Sequence, residues 1–409
     1  MVPNAPQLPR DGNASASCRW NEHSGELRST RVIKSVSKCA QACSAQDAGA
    51  EIANTIFPNL VSRRFERLLR ATARGPYQEK PLSKLALTLA CGAYEIVRAL
   101  MEGTVKPDGV DLNVLTAMDS STRHWRFLRN REFAMAEVSC SSYLVARDQG
   151  VPIDAIPVFL HRRFRHGFIF INTAKGIRTP ADLVGRKIGV KQFQNTAIVW
   201  LRGILQHEYG VPLQSIEWVC ELDETIEFEP PPNLKIVRLP PEGSVEQMLT
   251  NGEIDAVLHP DLIRPLVEKD PRVARLFPDH RREEVAFFRK TGIFPIMHVL
   301  GIKREIAEEH PWVAINVFRA FNEAKGLAMK RMANPRIVPL AFYREAWEEQ
   351  EELMGPDPWE YGLTDRNRHT LETISTYAHE RGLTRRKLPL EELFIDMSQG
   401  RKRGVEFRI

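Results

Sequence analysis

The chain of 409 residues is long enough for two lobes with their own cores, or for one domain with an extension. Its composition, 43% hydrophobic and 27% charged, is ordinary for a soluble globular protein, and no apolar run approaches the length of a transmembrane helix. The net charge of +5 lies in residues 1–80, which hold 12 Lys and Arg against 7 Asp and Glu. The remainder is neutral, which argues against a nucleic-acid-binding body with a basic face.

Residues 1–80 are interpreted as a basic leader in front of the folded body. Residues 1–30 are rich in Ser, Asn, Pro and Arg without apolar periodicity, which predicts disorder, whereas residues 48–74 show a helical pattern. No secretory signal pattern is present, so we expect a cytoplasmic protein, with an organellar transit peptide as the alternative. Cys39 and Cys43 have no second pair at metal-ligand spacing, and we expect reduced thiols throughout.

From about residue 81 strand-like and helix-like segments alternate. Strands are predicted at 85–90, 110–115 and 134–138, with helices between them, and a serine-rich turn at 139–142 follows the third strand. This alternation predicts βαβ units and a mostly parallel sheet, in which ligands bind beyond the carboxyl ends of the strands. The hydroxyl and backbone groups of the serine turn therefore lie where a ligand is expected.

The segment 157–208 is the stretch around which the rest of the chain is organised. A strand is predicted at 156–160, a basic turn at 162–166 and a second strand at 168–172. A third strand, 187–190, leads through a polar turn into an amphipathic helix that begins near Thr196. Backbone N–H groups and the positive end of the helix dipole face the ligand at such a start. With the basic turn upstream, this predicts a pocket for a small carboxylate or phosphate.

The second half repeats the alternation and then becomes helical. Strands are predicted near 216–219, 236–239 and 252–257, and an extended apolar segment at 291–302 contains His298. Long helices are predicted at 310–332, 343–354 and 365–381. Two crossings between two sheets predict a hinged, two-lobed α/β clamp with a helical C-terminal region. Residues 81–173 and 295–409 are assigned to lobe I and residues 174–294 to lobe II.

Several short sequence segments of the chain are similar to segments of known protein families. TPADLVGRKIGV at 179–190 and GEIDAV at 252–257 resemble the type II periplasmic-binding-protein fold, in its thiamine-pyrimidine type. EVSCSSYL at 137–144, FRHGFIFIN at 164–172 and GIFPIMHVLGIKREI at 292–306 are similar to the 4,5-dihydroxyphthalate decarboxylase family. The resemblance covers about residues 85–394. It departs at Lys191-Gln192, where the family has a proline and an acidic residue, and at Gly167, where the family has a serine.

The resemblance implies removal of a carboxylate from a hydroxylated aromatic ring, by protonation of the ring carbon and then loss of CO2, without a cofactor. Arg165 is suited to hold the retained carboxylate. His166 or His298 is the candidate general acid, and Glu137 is the candidate to orient that histidine or to accept a hydroxyl proton. The candidates for binding substrate oxygens are Ser139, Ser141, Ser142, Asn195 and Thr196.

Each of these residues also has a structural alternative. The basic turn is compatible with a solvated surface, both histidines with packed structural roles, and the helix start with simple capping. Glu137, His166 and His298 are compatible with convergence on a metal, but no compact ligand motif is present, and we predict no metal.

The alternative function is a non-catalytic small-anion binding protein of the ABC-transporter substrate-binding type, because this fold hosts many such proteins. An enzyme resembling those of thiamine-pyrimidine synthesis is a third interpretation. For the decarboxylase, the predicted partner is a small aromatic carboxylate, and neither nucleic acid nor a membrane is expected. The chain is compatible with a homo-oligomer.

Overall fold

The computed structural model describes residues 83–397, which belong to one compact unit. The predictions for the leader lie outside this range. Within it, eleven strands form two sheets. The strands are β1 (Leu85–Ala90), β2 (Val110–Leu115), β3 (Met135–Ser139), β4 (Ile153–Ile156), β5 (Ile169–Asn172), β6 (Lys187–Val190), β7 (Glu217–Cys220), β8 (Lys235–Arg238), β9 (Ala256–Leu258), β10 (Val273–Arg275) and β11 (His298–Lys303).

The first sheet has the order β2-β1-β3-β11-β4. β1 pairs in parallel with β2 and β3, whereas β11 runs antiparallel to both of its neighbours. β11 comes from the far end of the chain and lies between β3 and β4. Its register places His298 opposite Ser139 and Leu300 opposite Glu137.

The second sheet has the order β10-β5-β9-β6-β7-β8. β5 is antiparallel to β9 and β10, and the pairs from β9 to β8 are all parallel. In each sheet, therefore, all strands but one share a direction. The predicted α/β class with two mostly parallel sheets is confirmed.

Helices cover the sheets and make up most of the chain after β11. They are α1 (Arg98–Met101), α2 (Ser120–Asn130), α3 (Cys140–Asp148), α4 (Thr196–His207), α5 (Val245–Asn251), α6 (Arg264–Val267), α7 (His280–Thr291), α8 (Arg304–Glu309), α9 (Pro311–Met332), α10 (Tyr343–Met354), α11 (Asp365–Glu380) and α12 (Leu390–Leu393). The helical C-terminal region is confirmed as well. No helix within residues 83–397 is long and apolar enough to cross a membrane.

Local sequence explains where several helices begin. Asn195 caps α4, because its Oδ1 accepts a hydrogen bond of 2.9 Å from the N–H of Ala197. Ser244 caps α5 in the same way, as its sequence position predicts. Pro311 opens α9 at a position where a missing N–H costs nothing.

The helix α4 is the central packing element, since its residues from Thr196 to Leu205 are all buried. It packs against α3 of the first sheet and against α11 of the C-terminal region. Gly203 permits the second contact: a Cβ there would lie 1.9 Å from the ring of Tyr377. The helix α4 is thus held between α3 and the C-terminal helical region.

One predicted strand boundary differs from the structure. The strand expected at 156–160 is found three residues earlier, as β4, because Pro157 has no N–H to continue the ladder. Residues 158–160 are buried but lie outside the strands of the sheet, and their apolar character alone made them resemble a strand in the sequence. The division into lobes stays a prediction; β5, which it assigns to lobe I, pairs in the second sheet.

Candidate active site

A cavity of about 180 Å³ opens between the two sheets. Its wall includes residues at the carboxyl ends of β1 and β3, the first residue of β11 and the starts of α2 and α4. The lining residues are Tyr94, Ser120, Ser121, His124, Ser139, Ser142, His161, Arg165, Gln192, Asn195, Thr196, Ala197, Thr225, Pro260, Asp261, Met297 and His298. The cavity therefore lies where the strand order predicts a ligand.

Glu137 lies on β3 just behind the wall of the cavity and is 1% exposed. Its Oε2 accepts hydrogen bonds from Gly92 N at 2.8 Å and Arg123 Nη2 at 2.9 Å. Its Oε1 accepts from Tyr94 Oη at 2.8 Å and lies 2.6 Å from His298 Nδ1. Burial raises the pKa of Glu137, but His298, Arg123 and the Tyr94 hydrogen bond outweigh it and hold the pKa well below its ordinary value. Glu137 is thus a buried, ionised carboxylate.

His298 is the first residue of β11, and its imidazole lines the cavity. Because Glu137 is ionised, Nδ1 of His298 is the hydrogen-bond donor to it, an assignment that follows from the partner. Nε2 is then the ring atom available to a ligand. The contact with Glu137 fixes the orientation of the imidazole, which suits a general acid.

Two further histidines flank His298. The rings of His124 and His161 each meet the His298 ring edge-on, with centroids 4.8 Å away. Burial and the charge of His298 hold the pKa of His124 well below its ordinary value. Burial, His298 and Arg165 lower the pKa of His161 to about 2. Both flanking rings are therefore neutral at physiological pH.

Arg165 brings a positive charge to the cavity although it is only 2% exposed. Its Nε contacts Met297 Sδ at 3.0 Å and its Nη1 donates to Pro260 O at 2.7 Å. No ion pair links it to a carboxylate among residues 83–397. Burial and the neighbouring Arg163 lower the pKa of Arg165 to about 9, so it stays charged at neutral pH. A buried cation without an anionic partner is costly, and a carboxylate ligand would supply that partner.

A network of hydroxyl groups joins the starts of α3 and α4. Ser139 Oγ lies 2.7 Å from Thr196 Oγ1, and Ser142 Oγ donates to Ser139 Oγ at 3.2 Å. Ser141 is fully buried and donates to Gln194 O at 2.5 Å, so its hydroxyl holds the two helices together. Ser139, Ser142, Asn195 and Thr196 line the cavity, and Ser141 does not.

His166 lies elsewhere. It is 1% exposed, and its ring packs among Tyr209, Phe277 and Phe287 with centroids 5.4 to 6.2 Å away. Neither ring nitrogen has a hydrogen-bond partner among the described residues. Burial and His280 lower its pKa to about 4. Of the two candidate general acids, then, only His298 reaches the cavity, and convergence of His166 with Glu137 on a metal does not occur. No group of three or more His, Cys, Asp or Glu side chains within residues 83–397 is placed to hold a metal ion.

The loop between β7 and β8 covers one side of the cavity through Thr225. Arg129, on α2 beside the first sheet, donates to Thr225 O at 2.6 Å and to Glu224 O at 2.9 Å. Gln149 donates to Glu227 O at 2.6 Å. Side chains attached to the first sheet thus hold a loop of the second sheet across the cleft.

Sequence reasoning missed Tyr94, His124 and His161 as site residues. Tyr94 follows the carboxyl end of β1, a position at which ligands are expected. His161 immediately precedes the basic turn, so the signal was present in its position. His124 lies on α2, and nothing in the sequence directs its ring to His298.

The comparisons with known proteins identify the family of the chain. A 4,5-dihydroxyphthalate decarboxylase of Comamonas testosteroni is 35% identical over 322 residues, which cover 76% of this chain and 97% of that protein. The chain belongs to the 4,5-dihydroxyphthalate decarboxylase family. The protein of the same name from Pseudomonas putida is 35% identical over 205 residues, covering 48% of this chain and 79% of that protein. The resemblance inferred from the sequence is confirmed.

The family model described as NMT1/THI5 like matches residues 96–221. Two solved structures are similar to the chain at low identity. The periplasmic aliphatic sulphonate binding protein of Escherichia coli is 14% identical, with a TM-score of 0.45 over 76% of this chain and 98% of that one. The alkanesulfonate-binding protein of Xanthomonas axonopodis pv. citri, bound to MOPS, is 14% identical, with a TM-score of 0.44 over 75% and 96%.

Proposed function

We propose that this family member is a decarboxylase that removes one carboxylate as CO2 from a hydroxylated aromatic acid of the 4,5-dihydroxyphthalate type. The observation that carries the proposal is the pairing of His298 with the ionised Glu137 at a cavity that also holds Arg165. Such a substrate places the enzyme in the breakdown of aromatic compounds. The cytoplasmic location and a homo-oligomeric state stay predictions from the sequence.

The size and charge of the cavity support an aromatic dicarboxylate as substrate. A dry cavity of about 150 Å³ accommodates benzene, so about 180 Å³ has room for one substituted ring. A guanidinium has five N–H donors, and among residues 83–397 Arg165 uses only Nε and Nη1 for hydrogen-bonding contacts. Its Nη2 is left for the carboxylate that the product retains. The hydroxyls of Ser139 and Thr196 and the starts of α3 and α4 would bind further oxygens.

The reaction needs a proton at the ring carbon that carries the departing carboxylate. Protonated His298 donates the proton from Nε2, a C–H bond forms at that carbon, and the ring loses its aromaticity. The bond from that carbon to the carboxylate then breaks, its electron pair restores the ring, and CO2 leaves. Glu137 stabilises the protonated imidazole before the transfer and fixes its orientation.

The test is CO2 release, followed together with the ultraviolet spectrum, when the protein is mixed with 4,5-dihydroxyphthalate and related hydroxybenzoic acids. We expect turnover by the unaltered protein, and a loss of about 100-fold or more in His298→Gln. His166→Phe is the matched control, because that ring lies outside the cavity, and it should retain turnover at neutral pH. Thermal stabilisation by an aromatic acid without CO2 release would instead favour the anion-binding alternative.

A further inference from the structure

Decarboxylation of a carboxylate consumes one proton in every turnover. The carboxylate leaves as neutral CO2, and the ring carbon gains a hydrogen that comes from His298 under the proposed function, on which this inference rests. His298 is neutral after the step and must regain a proton before the next cycle. Its Nδ1 is turned towards Glu137, so the incoming proton has to reach Nε2 from the cavity side.

The groups around His298 differ in their ability to deliver that proton. Tyr94 is a poor donor, because burial and the negative charge of Glu137 raise its pKa far above neutrality. Arg123 is bound to Glu137, and Arg165 is a permanent cation at neutral pH. The two flanking histidines are the remaining titratable groups in contact with the His298 ring.

His161 and His124 differ in their access to water. His124 is 7% exposed, and its Nε2 is buried without a hydrogen-bond partner among residues 83–397. His161 is partly exposed at the cavity wall. Unlike Nε2 of His124, neither of its ring nitrogens is a buried atom without a hydrogen-bond partner. Its ring also lies against the Tyr94 ring, with centroids 6.4 Å apart and planes nearly parallel, which holds it beside His298.

We propose that His161 is the proton-relay residue through which His298 is reprotonated after each turnover. The proton passes from cavity water to His161 and then, through a second water in the cavity, to Nε2 of His298. No oxidant, reductant or further reactant is needed, because the balance is one proton taken from water for each CO2 released.

The surrounding charges favour this order of events. Burial, then His298 and Arg165, and more weakly Arg163, keep the pKa of His161 low while Glu137 raises it, and His298 repels a second proton only while it is itself protonated. Once His298 has given its proton to the ring, that repulsion is absent. A carboxylate bound at Arg165 offsets the repulsion from the guanidinium. His161 therefore becomes easier to protonate at the stage when His298 needs a proton.

The experiment compares the full-length protein with His161→Gln and His124→Gln at fixed pH and ionic strength. The steady-state rate is measured in a weak buffer and with rising concentrations of imidazole, and the first turnover is followed by rapid mixing. In His161→Gln we expect kcat to fall about 10-fold or more, with KM little changed. The first turnover should persist as a burst, since it does not depend on the reprotonation of His298, and imidazole should restore kcat. His124→Gln should show no dependence of kcat on imidazole.

If the unaltered protein releases CO2, the proposed function stands and the relay is tested separately. An unchanged kcat in His161→Gln would overturn the relay, and so would a slowed first turnover of that variant without rescue by imidazole. Imidazole dependence of kcat in His124→Gln instead would also overturn it. Absence of CO2 release by the unaltered protein would remove the proposed function and the relay with it. Circular dichroism verifies folding, and His161→Asn repeats the measurement if His161→Gln fails to fold.

Discussion

The Nδ1 of His298 lies 2.6 Å from the Oε1 of Glu137, although 161 residues separate them in the chain. The pairing of β3 with β11 accounts for this. His298 lies opposite Ser139, and Glu137 is two residues from Ser139 on the same strand, so Glu137 and His298 are diagonal neighbours on one face of the sheet. The two side chains are thus fixed by a strand ladder, which holds geometry better than a loop does.

Replacement of Glu137 by Gln should affect both turnover and stability. We expect kcat to fall about 100-fold or more, because His298 loses the charge that stabilises its protonated form. Arg123, 2% exposed, would lose its only ion-pair partner among the described residues, at a cost of about 3–5 kcal/mol in the free energy of unfolding. CO2 release and urea unfolding measure the two effects. Glu132→Gln, which breaks a surface pair with Arg126, should cost less than about 1 kcal/mol. Equal losses in the two variants would contradict the buried pairing.

Arg165→Met should weaken substrate binding without weakening the fold. A charged hydrogen bond contributes about 1.5–3 kcal/mol, so we expect KM to rise about 10- to 100-fold. The free energy of unfolding should not fall, because a buried cation without a carboxylate partner is removed. Substrate titration and thermal unfolding test this. Arg163→Met, two residues away with a 42% exposed side chain, is the control and should leave KM nearly unchanged. A less stable protein with normal KM would show that Arg165 is structural.

His166→Phe should change how stability depends on pH. The pKa of His166 is about 4 in the folded protein, below about 6.5 in the unfolded chain. The contribution of neutral His166 to the free energy of unfolding is therefore fully present above about pH 6.5. It is lost as the pH falls towards 4, by an amount on the order of 3 kcal/mol. The variant should lose less stability than the unaltered protein over that range. Urea unfolding at a series of pH values measures it, and parallel pH curves for the two proteins would refute the assignment.

Arg129→Met should loosen the cover of the cavity. Its two hydrogen bonds to the carbonyls of Glu224 and Thr225 join the two sides of the cleft. We expect KM to rise about 10-fold, since each such bond contributes about 1 kcal/mol or more, with a smaller effect on kcat. Steady-state kinetics measure both. Arg126 lies on the same helix, but its hydrogen bonds go to residues that flank α2 and not to the loop. Arg126→Met should therefore leave KM unaltered. A similar KM in both variants would mean that the loop is held by other contacts.

Local signals in the sequence predicted the elements well and their distant partners poorly. The start of α4 at Thr196, the cap at Ser244 and the range of α10 all follow from short-range patterns. The error at β4 arose because buried, apolar residues after Pro157 are extended without pairing. Such a stretch looks like a strand until its hydrogen-bond partners are known.

The site shows the same limit. Glu137, Ser139 and Thr196 were predicted because strand ends and helix starts are visible in one sequence, and Arg165 was predicted because it lies in a basic turn. The sequence alone did not distinguish His166 from His298 as the candidate general acid, since each lies next to a short run of apolar residues. The direction of the His166 ring is decided by Tyr209 and by aromatic residues of a distant segment, and no local pattern carries that information.

The position of β11 between β3 and β4 has a consequence for the order in which the protein is made. β4 ends at Ile156 and β11 begins at His298, so during translation the edges of β3 and β4 await a strand that emerges about 140 residues later. At cellular rates of about 5–20 residues per second, this interval is roughly 7–28 s. The second sheet can form in that time, whereas the first has two unpaired edges. The nascent chain therefore spends its most aggregation-prone period with Glu137 already made and His298 not yet synthesised.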